Sequence, residues 1–235
     1  MKPDPWLSKI MNSNCYDFSC TTIEEYLSHR KFILDLNTFF VTLRTSQSPA
    51  NKLDELGKTF RYITTMNSYI WIPDSMQVSM EIENIKIYNA EDYTSVLNIA
   101  DNAFTADRFH NDPRISKTFA DKIKLDWLKS NLLKHRETVT FIYTSQDERN
   151  ILGFNSMVIK ENSIAIDLIA VSKGFRRLGI AKKLVDAGKK LAAKRELLLT
   201  VGTQKNNIAN DLYLKNGFKL KETYFVSHDT NATFY

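Results

Sequence analysis

The chain has 235 residues, with 32 Lys and Arg against 27 Asp and Glu, a formal net charge of +5. Its hydrophobic and charged fractions, 43% and 25%, allow a sizeable buried core and exclude a disordered or fibrous chain. The apolar run FILDLNTFFVTL at 32–43 is too short and too polar to span a membrane, and MKPDPWLSK lacks the apolar stretch of a secretory leader, so a cytoplasmic location without a membrane partner is expected.

From the N-terminus, Cys15 and Cys20 stand without a second Cys or His pair at metal-ligand spacing, which predicts reduced thiols and no metal. FFVTLR reads as a strand, and SPANKLDELGKTFRYI as a helix with Pro49 near its start. A domain boundary is expected between Pro73 and Ser79, giving 1–81 as an N-terminal α/β domain and 82–235 as a second domain. In the latter, IENIKIYNA alternates as a strand, and EDYTSVLNIADNAF has helical spacing at Val96, Ile99, Ala100 and Ala103. KTFADKIKLDWLKSNLLKH sets Ile123, Trp127 and Leu128 on one helical face. VTFIYTS, ILGFNSMVIK and IAIDLIAV, separated by polar turns, predict an antiparallel meander. A helix from Ile180 to Arg195, the strand ELLLTVGT and the short helix NNIANDLYLKN follow, and FKLKE and TYFVSH close the chain as two strands. The order is β-α-α-β-β-β-α-β-α-β-β.

Six of the seven glycines (153, 174, 179, 188, 202, 217) lie in the C-terminal part. Two of them flank Arg176 and Arg177 where the strand IAIDLIAV gives way to the next helix. The first N–H groups of a helix have no intrahelical acceptor, and the macrodipole adds roughly half a positive charge there. Arg176-x-x-Gly179-x-Ala181 would let a pyrophosphate approach those groups without side-chain clash. There is no GxxxxGK[ST] and no GxGxxG. A solvated basic turn before an amphipathic helix with Lys182, Lys183, Lys189 and Lys190 outward would have the same spacing. The positive charge alone would also suit nucleic acid, but no aromatic-basic RNA motif or finger spacing is present, so no nucleic-acid partner is expected.

LIAVSKGFRRLGIAKKLV and NNIANDLYLKNGF resemble the GNAT superfamily of acetyl-CoA-dependent N-acetyltransferases, whose loop reads [RQ]-x-x-G-x-[GA]. The resemblance implies an α/β (α+β) GNAT fold in 82–235, a central mixed, mostly antiparallel sheet flanked by helices. DRFHNDPRI, IDLIAV, VGTQKNNIANDLYLKNGF and YFVSH further resemble the acetyltransferases of dTDP-linked amino-deoxy sugars, with Phe39-Phe40-Val41 where that family carries Phe-Phe-Gly. A nucleotide-sugar substrate for surface polysaccharide biosynthesis and a homodimer are therefore implied, with a protein N-terminus or another small amine as the alternative acceptor and a non-catalytic acyl-CoA-binding module as the alternative to an enzyme.

The resemblance also assigns roles. The backbone of Leu168, Ile169, Ala170 and Val171 would bond the pantetheine arm of acetyl-CoA, and Arg176, Arg177, Leu178, Gly179, Ile180 and Ala181 its pyrophosphate. A strand N–H there would stabilise the developing oxyanion, a role that contributes about 3 kcal/mol per donor elsewhere. Tyr213, in N-x-x-A-x-x-L-Y, would be the general acid towards the departing sulfur, although a helical Tyr beside Leu212 also suits core packing. Asn206 would bond the cofactor arm, with an N-cap role for Asn206 or Asn207 as the alternative. Asp167 stands where an acid occurs in related enzymes, and simple alternation puts it on the face of Ile169 and Val171, as base or substrate ligand. Arg108, His110 and Asp112 would line the sugar site; Asp112 before Pro113 equally suits a turn. His228 reads as a satisfied strand histidine, and His29 and His135 as surface residues.

Overall fold

The chain enters through β1 (Lys2–Pro3) and turns into α1 (Pro5–Met11), where the Asp4 side chain accepts the Leu7 N–H at 2.9 Å. Pro5 takes a helical position that needs no donor. After Asn12, which stops the helix at φ 48°, come β2 (Asn14–Cys20) and α2 (Ile23–Leu34). Glu25 accepts the Thr22 N–H at 3.3 Å across the first turn of α2. β3 (Phe39–Thr45), a 3-10 turn (Pro49–Lys52) and β4 (Phe60–Trp71) follow. The structure, a computed structural model, describes residues 1–52, 56–73, 82–101 and 103–235.

The helix expected over 48–63 is corrected in part: its residues 53–55 lie outside the described residues, but 60–63 open β4. The β-branched and aromatic content of FRYITTMNSYIW outweighs the helical spacing before it. Most of the expected boundary, 74–79, also lies outside the described residues.

Beyond it, β5 shrinks to Ile85–Ile87, and Ala90–Asp92 forms a 3-10 turn before α3 (Tyr93–Ala100). Then come α4 (Lys117–Leu132), β6 (Thr138–Thr144), β7 (Ile151–Lys160) and β8 (Ser163–Val171). α5 (Ile180–Lys194), β9 (Leu198–Gln204), α6 (Ala209–Lys215) and β10 (Lys219–Thr230) complete the chain. The two closing strands expected on sequence are one, because the polar step between FKLKE and TYFVSH is not a turn.

Two units emerge from the contacts: Met1–Asn67 with Ala106–Ile123 and Glu222–Tyr235, and Ser68–Thr105 with Lys124–Lys221. Residues 106–123 and 222–235, expected in a domain running from 82, thus cluster with the first 67.

In the first unit the strand order is β1-β2-β3-β10, with β2 and β3 parallel and the other pairs antiparallel. Tyr26 and Ile33 of α2 pack on Phe18, Phe39, Val41, Leu43 and Phe60. In the second unit the order is β9-β8-β7-β6-β5, a mixed sheet that is parallel only between β8 and β9. Val96, Leu128 and Leu132 of α3 and α4 cover one face around Phe154, Leu168 and Ala170. On the other face lies α5, whose Val185 and Ala192 meet Ile164, Ile166 and Leu199. Its buried stripe, Ile180, Leu184, Val185, Ala187, Gly188 and Ala192, follows the helical period. Burial of each large aliphatic side chain there contributes about 1.5–3 kcal/mol. Among the described residues no helix is long and apolar enough to cross a membrane.

Candidate active site

β8 pairs with β9 only over Ser163–Ile166 against Leu198–Val201, while its antiparallel pairing with β7 continues to Val171 opposite Gly153. The β7 register shifts between Ser156, opposite Leu168, and Met157, opposite Ile166, so Asp167 is the extra residue of a bulge. Past this point the β8 edge turned to β9 has no strand partner among the described residues. Its backbone N–H and C=O groups are obligatory hydrogen-bonding groups, so the edge suits an extended amide-bearing ligand. The side chains of Leu168, Ile169, Ala170 and Val171 are spent on packing: the first and third on α3 and α4, the second and fourth beside Ile180 and Leu184. Gly153 belongs to this arrangement, since a Cβ there would stand 3.0 Å from the Ala170 carbonyl and 3.1 Å from Leu184.

Beyond Val171 the chain makes a 3-10 turn (Lys173–Phe175), and Arg177 (φ 67°) and Gly179 (φ 80°) both adopt left-handed backbone before Ile180 begins α5. Arg176, Arg177, Leu178 and Gly179 are exposed, Ile180 is buried and Ala181 half-buried. Arg176 Nε donates to the Val171 carbonyl at 3.1 Å, tying the loop to the strand. The first N–H of this helix to find an intrahelical acceptor is that of Lys183, on Gly179 O at 3.1 Å. The N–H groups of 176–179 make no hydrogen bond among the described residues, and a Cβ on Gly174 or Gly179 would meet nothing within 4 Å. Open amides, a helix N-terminus and two arginines fit a diphosphate. One lysine expected to point outward does not: Lys189 lies over the Trp71 ring at 5.5 Å, and burial lowers its pKa.

Tyr213 is 2% exposed, packed between Tyr69 (6.1 Å between centroids) and Phe218 (5.5 Å). Burial pushes its phenol well above the ordinary value, and its hydroxyl has no hydrogen bond among the described residues. The N-cap position of the short helix falls to Ile208, not to Asn206 or Asn207; Asn207 Oδ1 accepts the Ala209 N–H at 2.9 Å just ahead of it, while Asn206 is exposed. Asn210, absent from the sequence reading, staples the turn by donating to the Gln204 and Lys205 carbonyls and accepts the Tyr69 hydroxyl at 2.7 Å.

Asp167 differs most from its expected placement. The bulge reverses the alternation, so its carboxylate meets α4 on the face of Leu168 and Ala170, away from Ile169 and Val171. Trp127 Nε1 (2.7 Å), Asn131 Nδ2 (2.8 Å) and Arg136 Nη2 (2.6 Å) all donate to its Oδ2. Three donors including a guanidinium occupy this oxygen, which suits an anchor for the bulge better than a proton acceptor. Asn131 and Arg136 carry no motif that would have marked them.

The remaining predicted residues lie in the first unit. Asp112 is fully buried; its oxygens take the Arg114 fork at 2.8 and 2.9 Å and His228 Nδ1 at 2.8 Å. Burial opposes its ionisation, but those bonds win and hold the carboxyl well below the ordinary range. His228 is lowered to about 4 by burial, so it is neutral with Nδ1–H on Asp112. The expected satisfied histidine is only half so, because its buried Nε2 has no partner among the described residues. His110 sits between Asp107 (2.8 Å) and Asp121 (2.9 Å), one carboxylate on each ring nitrogen. Burial works against its charge, but the two acids raise its pKa. His29, expected at the surface, is exposed and bonds the Glu25 carbonyl at 2.9 Å. Arg108 is half-buried, bonded to Thr42 Oγ1 and stacked 4.3 Å from the Phe109 centroid. Of the three residues expected at a sugar site, Arg108 alone keeps donors to spare. Cys15 and Cys20 are free, and burial pushes their thiols up to about 12 and about 11. No cluster of metal-ligating side chains occurs among the described residues.

A profile of the acetyltransferase (GNAT) family matches 96–218. The spore coat polysaccharide biosynthesis protein SpsD of Bacillus subtilis is 27% identical over 139 residues, 58% of this chain and 47% of SpsD, so the chain spans about half of that relative's length. Among solved structures, a functionally unknown conserved protein from Staphylococcus epidermidis superposes with TM-score 0.68 at 16% identity, over 93% of this chain and 85% of that one. A GCN5-related N-acetyltransferase from Sphaerobacter thermophilus does so with TM-score 0.57 at 17% identity, over 90% and 66%. The strand that leaves its neighbour and the glycine loop that follows it lie inside the matched segment, and the chain belongs to the GNAT family of N-acetyltransferases.

Proposed function

We propose that this protein transfers the acetyl group of acetyl-CoA to the amino group of a nucleotide-linked amino-deoxy sugar, a precursor of a surface polysaccharide. The observation that carries the reading is the release of β8 from β9 after Ile166, next to the open amides at Gly179. The likeness to a spore coat polysaccharide biosynthesis protein supports a sugar acceptor. Acetyl-CoA, the acyl donor of this family, supplies an activated thioester when bound. The amides of 176–182 bind its diphosphate, and the free edge of 168–171 aligns its amide-bearing arm. The buried Tyr213 hydroxyl keeps its proton at neutral pH and gives it to the sulfur as the thiol departs. With Asp167 held by Trp127, Asn131 and Arg136, the incoming amine loses its proton to water rather than to that carboxylate.

The test incubates the full chain with acetyl-CoA and a panel of dTDP- and UDP-linked amino sugars, following free thiol and product mass. Stoichiometric thiol and an acetylated sugar nucleotide are expected. Turnover with peptide or small-amine acceptors, and none across the sugar panel, would overturn the substrate class and leave the family assignment standing.

A further inference from the structure

One face of the first unit's sheet carries polar side chains. Thr42 and Arg44 alternate to the same side of β3; His228 of β10 lies opposite Thr42, and Asp17 of β2 is Thr42's other neighbour. Arg108 packs against this face through Thr42 Oγ1 and the Phe109 ring. It forms no ion pair among the described residues. The acids within its field are engaged elsewhere: Asp17 by Arg44, Asp107 by His110, and Asp4 by the Leu7 N–H. Burial, then the charge of Arg44, lowers Arg108 to about 10. A fork of five N–H donors therefore has one neutral partner, and a half-buried cation is costly until a counter-charge joins it. The same cluster holds a second unsatisfied group, the fully buried His228 Nε2, whose ring lies 4.6 Å from Phe40 and 6.0 Å from Phe109.

We propose that Arg108, with Arg44 beside it, forms a subsite for the diphosphate of a nucleoside-diphosphate ligand. The planar fork matches two phosphate oxygens at once, and the second guanidinium stabilises the remaining charge. Thr42 holds the fork in place, and Phe109 fixes the plane of the guanidinium. The inference rests on the amino-sugar reading only for what the diphosphate carries.

Calorimetric titration of the full chain with thymidine diphosphate and with pyrophosphate tests it. The coenzyme loop also suits a diphosphate, so the titration is repeated in Gly179→Val. Affinity should survive Gly179→Val and fall about 10- to 100-fold in Arg108→Gln. Arg108→Lys, which keeps the charge and loses the fork, should fall between. Unchanged affinity in both Arg108 variants, or loss of all diphosphate binding in Gly179→Val alone, would overturn the subsite. Equal competition by glucuronate would overturn its phosphate identity. Arg108-dependent binding without acetyl transfer to any sugar nucleotide would leave the subsite standing and remove the amino-sugar reading.

Discussion

The two units treat polar groups in opposite ways. In the second, the polar groups left open among the described residues are main-chain amides at 176–182 and a strand edge at 168–171, the edge backed by plain aliphatic side chains. In the first, polar side chains are buried and closed on one another. Asp229 takes the Tyr26 hydroxyl and Arg30 Nε, each at 2.7 Å, and Asp112 takes Arg114 and His228. A backbone site asks little of its neighbours beyond a small residue where φ is positive. A closed side-chain network fails when one member is removed, because its partners stay buried without acceptors. Substitutions at the loop and edge of the second unit should thus change ligand binding and rate, and those in the Asp112 and Asp229 networks of the first should change stability.

The sharpest test of that contrast is Tyr213→Phe. Its hydroxyl has no hydrogen bond among the described residues, so the melting temperature and acetyl-CoA affinity should hold while kcat drops about 10²- to 10⁴-fold. An unchanged kcat would leave Tyr213 as packing alone. Asp112→Ala is the reverse case. It strands the Arg114 fork and His228 Nδ1–H, and urea unfolding at neutral pH should register a loss of about 3–5 kcal/mol.

Acidification probes the same network without mutation. His228 has a folded pKa of about 4 against an ordinary 6.5, so its contribution is complete above pH 6.5 and is lost as the pH falls towards 4. Stability should decline by about 2–3 kcal/mol across that window, and His228→Asn should flatten the slope. His110, whose pKa is raised by Asp107 and Asp121, acts in the opposite sense: its contribution is complete below 6.5 and lost as the pH rises through its folded value.

The smallest effect expected is at Gly179→Val. A β-branched residue at φ 80° costs about 1–2 kcal/mol. Where the exposed loop sheds that strain by leaving the left-handed conformation, the cost should appear as roughly tenfold weaker acetyl-CoA binding, with little change in melting temperature. A large fall in melting temperature would erase the distinction between the units.

The same contrast explains what could be read from the chain. The meander, α5 and its loop were legible because each is local: alternation, helical period and a glycine within a few residues of the helix it opens. Tyr213 and Gly179 fall in such segments. Asp112–His228 and Tyr26–Asp229 were not legible, since their partners stand 116 and 203 residues apart and neither residue type announces the other. Asp167 was misplaced for a different reason: strict alternation carries no signal for one additional residue. The single strand at 219–230 was divided because its charged residues imitate a turn.

That additional residue has a consequence for the strand as a whole. A pleated strand has two phases, and inserting one unit exchanges them: Ile164 and Ile166 face α5 before position 167, Ile169 and Val171 after it. The step that frees the edge therefore also keeps α5, which carries the loop, seated on the wall beside it.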